Sequence, residues 1–161
     1  MANDTKKIKL GRYKLTPYTV RFVDESGMTR QYEWAGMRGE KVDIKPVPEG
    51  LVNFLEMNSF CFKQGELKII EDTKIAKEIV ENLTDKEEYE KNALTRKEML
   101  DLLNGNYKKL ESEVKKMNKE TVNCLIDLAK EEKIDSSAKQ KILAEAIGMG
   151  KNVDIVFNDE E

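Results

Sequence analysis

Cations and aromatic rings are interleaved near the start of the chain: Arg12, Tyr13, Lys14, Tyr18, Arg21, Tyr32 and Trp34. Small β-modules use that mixture to neutralise phosphate and stack bases. The competing reading is structural. Met28, Arg30, Tyr32 and Trp34 recur at period two, which puts Tyr32 and Trp34 on the core face of a strand. Arg12, Lys14 and Arg21 are then the candidate partner-binding cations of the front.

Other reactive patterns fail on type or spacing. The chain has no histidine. That removes Ser-His and Cys-His nucleophile systems, the usual general base near neutral pH, and most zinc sites. Cys61 and Cys124 lie far apart among apolar neighbours and read as reduced core thiols. Gly36-Met37-Arg38-Gly39-Glu40-Lys41 lacks the spacing of a phosphate loop and reads as a hairpin connection. Adjacent carboxylates such as Glu87-Glu88 and Glu131-Glu132 sit on solvated helix faces, where nothing drives their pKa values apart. Asp154, Asp159, Glu160 and Glu161 lack calcium-loop spacing. The expectation is a chain with no catalytic residue, no metal ligand and no cofactor.

The elements that position these residues fall into two kinds. Lys6–Lys14, Tyr18–Val23, Met28–Trp34 and Val42–Val47 read as strands, the middle two as a hairpin around Asp24-Glu25-Ser26-Gly27. In the fourth, Val42 and Ile44 are expected inward. Pro48 opens a helix, and Glu66–Glu71 closes one small sheet of four or five strands. From Asp72 the apolar period changes to 3.6, as in Ile75, Ile79 and Leu83. Thr84–Glu87, Thr95–Glu98 and Ser137–Gln140 read as capping boxes, and Gly105 as a left-handed helix stop. The fold class is therefore α+β: a small N-terminal antiparallel sheet with one packed helix in residues 1–71, then a helical bundle in residues 72–161. After the helix-ending Gly148 and Gly150, the apolar run Val153, Ile155, Val156 and Phe157 precedes an acidic terminus. It is read either as a strand added to a sheet edge, its own or a neighbouring subunit's, or as a locally packed terminal strand, and it is the second candidate partner-binding segment.

Charge is uneven. Residues 1–47 hold ten Lys/Arg against six Asp/Glu, while the rest hold eighteen against twenty-five. That gradient favours two faces with different partners. No apolar run approaches the ~20 residues of a membrane span, and the first residues lead into no apolar signal segment.

Val47–Ser59 with Phe62–Ile69 resembles small proteins of tailed bacteriophages, and Leu102–Asn106 with Lys108-Lys109-Leu110 is similar to helical tails in such proteins. The resemblance covers about a third of the chain and implies a phage gene product, a virion component associated with the head or neck. It implies a protein assembly as partner, and host cytoplasm followed by the virion as location. The alternative is a nucleic-acid-binding or host-directed regulatory module working through the basic front. A third reading is an enzyme limited to Asp, Glu, Lys, Ser or Tyr.

Overall fold

A computed structural model describes residues 7–158. The chain divides into two compact units, residues 1–93 and 94–161.

Among the described residues, the first unit has five strands and three helices. Strand β1 (Lys7–Arg12) lies between β4 (Asp43–Pro48) and the short β5 (Lys68–Ile69), antiparallel to both. Strands β2 (Tyr18–Val23) and β3 (Thr29–Trp34) form a separate two-stranded hairpin. Two small sheets thus replace the single one expected. Trp34 bridges them: its ring is fully buried and its indole N–H donates to the Leu10 carbonyl at 2.9 Å. Asp24 builds the hairpin turn. Its carboxylate accepts from the Ser26 hydroxyl, the Arg30 guanidinium and the Met28 and Ser26 amides, bonds that hold its pKa well below the usual range.

Register decides which side chains of β4 face inward. Ile8 pairs with Val47 and Leu10 with Lys45. Ile8, Leu10 and Val47 therefore share the buried face, and Ile44 falls on the other, where it is exposed. The expected inward placement of Ile44 is overturned, while Val42, just before the strand, is half-buried. Helix α1 (Glu49–Asn58) follows directly, with Pro48 as its N-cap rather than its first helical residue, and buries Leu51, Val52 and Leu55.

Helices α2 (Lys74–Glu81) and α3 (Lys86–Asn92) complete this unit. The period does change near Asp72, but Ala76, Val80, Leu83, Tyr89 and Ala93 join the same core as Ile8, Trp34 and Leu51. The division consequently falls after Ala93 rather than after Glu71, because α2 and α3 bury their apolar faces against the sheets.

The second unit is all helical among its described residues: α4 (Arg96–Asn104), α5 (Tyr107–Val114), α6 (Lys119–Glu131), α7 (Ser137–Ala146) and α8 (Val153–Phe157), with a 3-10 turn at Gly150–Asn152. Helix α6 buries Thr121, Val122, Cys124, Leu125, Ile126, Leu128 and Ala129. The Thr95–Glu98 capping box forms with both reciprocal bonds. The other two boxes do not form as read. Asp85 becomes the N-cap of α3 while the Thr84 amide donates to Glu56, and Ser136 rather than Ser137 caps α7. Gly105 closes α4 at φ −96°, so it is no left-handed stop; the Lys139 ammonium caps that helix instead by donating to the Leu103 carbonyl at 2.7 Å.

The run Val153–Phe157 is helical, not a strand. Its neighbour in the fold is α7, and the unit offers no sheet edge among the described residues for it to join. Val153, Val156 and Phe157 are half-buried and Ile155 is exposed. The acidic residues 159–161 lie outside the described residues.

Candidate functional site

The basic front contains the best-connected polar cluster of the first unit, and it points inward. Arg12 ends β1 with only 1% of its surface exposed. Its guanidinium donates to the Thr16 carbonyl and hydroxyl, to the Glu66 carbonyl, and to the Glu66 carboxylate at 2.9 Å. It also lies 5.2 Å from the centre of the Tyr18 ring. Lys14 is 4% exposed, and its ammonium donates to the carbonyls of Gly65 at 2.7 Å and Asn92 at 2.9 Å. Lys68 donates to the next carbonyl, Ala93, while lying over the Tyr89 ring. Two lysines thus collect at the C-terminal end of α3, where unpaired carbonyls and the helix dipole favour positive charge.

This cluster ties four segments together: the end of β1, the Thr16 turn, the Cys61–Glu66 turn and the end of α3. A guanidinium and an ammonium are worth burying there because every contact is a charge-assisted hydrogen bond. The same bonds remove both residues from any external partner. Of the three sequence candidates in the front, Arg12 and Lys14 are therefore internal ties, and Arg21 alone is exposed, its guanidinium on the Gln31 side chain at 3.2 Å. Lys9 and Arg30 are exposed but face Asp72 and Asp24 at 3.0 and 2.9 Å.

The reactive groups in the cluster are held in their unreactive forms. Burial, with help from the Glu66 carboxylate, pushes the Cys61 thiol up to about 12, so it is no thiolate near neutrality. The Tyr18 hydroxyl, hydrogen-bonded to that thiol, is raised well above its ordinary value by burial first and by Cys61 second. Cys61 and Cys124 are both buried and free. Gly36–Lys41 is a hairpin connection closed by an Arg38–Lys41 bridge. Among the described residues no three His, Cys, Asp or Glu side chains converge as a metal site requires, and no helix is long and apolar enough to cross a membrane.

The outward surface of the first unit has a different character. Val23 and Met28 are exposed at the two ends of the hairpin turn, and Met57 and Phe60 project from the end of α1, 80% and 64% exposed. None of these four was singled out from the sequence as a surface residue. Their exposure follows from register and helix phase, which hydropathy alone does not show. The candidates of the second unit, Val153, Ile155, Val156 and Phe157, are not brought together with these residues in one unit.

No curated protein and no solved structure matches the chain. Residues 6–85, just under half of the sequence, match the family model described as the YonA N-terminal domain, so most of the first unit is similar to a phage-related domain.

Proposed function

We propose that the chain is a non-enzymatic structural or accessory protein of a phage, docking on other proteins of the particle at its head or neck. It is made in the host cytoplasm and then carried in the virion. The observation that carries this reading is the burial of Arg12 and Lys14. Two cations of the basic front, Arg12 and Lys14, are spent on internal bonds, while apolar side chains such as Met57 and Phe60 stay in water. A surface of that kind fits protein contact better than phosphate. The phage-related domain at residues 6–85 supports the setting.

A fluorescence titration of the full chain with duplex DNA and with single-stranded RNA, at low and at physiological salt, separates this from the nucleic-acid alternative. Docking on protein predicts no submicromolar binding at physiological salt. Tight binding that falls steeply with salt, and weakens on Arg21→Ser, would establish the alternative instead. Arg21 is the variant to use, because changing Arg12 or Lys14 perturbs the fold itself.

A further inference from the structure

Within the first unit, α1 and α2 leave between them an open groove of about 270 Å³. Its floor is apolar, formed by Val52, Ile75 and Ile79, the two isoleucines half-buried. Its rim is acidic, formed by Glu49, Glu56 and Glu78, and no lysine or arginine lines it. The spacing explains the pattern. Glu49, Val52 and Glu56 recur along one face of α1, as Ile75, Glu78 and Ile79 do on α2. Glu56 is engaged by the Thr84 amide at 2.8 Å. The side chains of Glu49 and Glu78 engage no other described residue.

We propose that this groove seats a basic amphipathic helix of a protein partner, with aliphatic side chains on the isoleucine floor and lysines or arginines against Glu49 and Glu78. Charge complementarity selects that occupant. An anionic rim with two uncommitted carboxylates repels nucleic acid and acidic peptides, and an apolar floor rewards an aliphatic face. The groove is also open and smaller than the roughly 300–1,000 Å³ of pockets that enclose small molecules. The proposal rests on the docking function above and names its partner chemistry.

Two readouts on the full chain test it. The first is an amide NMR titration with a synthetic helix carrying leucines on one face and lysines beside them, against the same helix with glutamates. Saturable shifts confined to α1 and α2 with the lysine helix alone are expected. Binding should weaken about five- to tenfold in the Glu49→Gln/Glu78→Gln double variant, the range that two exposed charge contacts supply. No saturable shift in the groove, or equal response to both helices, overturns the proposal. The second readout is the copy number of that double variant in purified particles, with its melting temperature checked against wild type. Loss of a normally folded variant supports the groove. Retention at wild-type copy number overturns the groove while leaving docking intact, and absence of the wild-type chain itself would overturn docking instead.

Discussion

Lys14→Met is expected to lower the stability of the first unit by about 2–4 kcal/mol. Methionine nearly matches the length of lysine and fills the same space, so packing is kept. The hydrogen bonds are not. The carbonyls of Gly65 and Asn92 lose a donor at 2.7 and 2.9 Å inside a buried site. Leaving a buried polar group unsatisfied costs about 1–3 kcal/mol. Removing the ammonium also ends its desolvation cost, which works in the opposite direction. Two orphaned carbonyls, one in the Cys61–Glu66 turn and one at the end of α3, outweigh that relief. Trp34 is the only tryptophan in the chain and sits in this core, so its fluorescence in a urea titration reports the loss. An unchanged or higher midpoint would mean that Lys14 is not a tie and that its burial has another cause.

Gly65→Ala is expected to be at least as damaging, by about 3–5 kcal/mol. Gly65 has φ +70°, a left-handed conformation that an L side chain resists. The larger penalty is steric. A Cβ there would lie 2.3 Å from both the carbonyl carbon and the oxygen of Asn92, and these are backbone atoms of a helix end that cannot rotate away. The substitution pushes α3 off the turn to which Lys14 binds it. Gly27→Ala is the control. Its φ is +86°, but nothing lies within 4 Å of the added carbon, so only the conformational cost of about 1 kcal/mol remains. Equal midpoints for the two variants would show that the close approach of Gly65 to Asn92 is not part of the folded core.

The Lys14 ammonium acts on partners that lie 51 and 78 residues away along the chain. That separation explains what the sequence could and could not reveal. Period-two alternation placed Trp34 in the core, and an apolar neighbourhood placed Cys61 and Cys124 there, since each signal is local. The α+β class and the order of strands before helices were legible for the same reason. A lysine between Tyr13 and Leu15 carries no local mark of burial, so Lys14 and Arg12 read as surface cations. Ile44 read as inward because β4 was phased on its own residues; its pairing with β1 fixed the opposite face. The run Val153–Phe157 is rich in β-branched residues and read as a strand, yet a 3-10 turn feeds it into a helix against α7. Propensity over five residues is weak, and packing decides. The division after Ala93 was hidden because α2 and α3 have the helical period of the second unit but bury their apolar faces in the first.

The proposed function makes the chain a docking component of a phage particle that performs no chemistry of its own. The most direct measurement is quantitative mass spectrometry of phage particles purified from cells that produce the chain. The chain should be present at a fixed, stoichiometric copy number relative to head or neck proteins, and should stay there after a high-salt wash with nuclease treatment. Its absence from the particle, or its loss on nuclease treatment alone, would contradict the account.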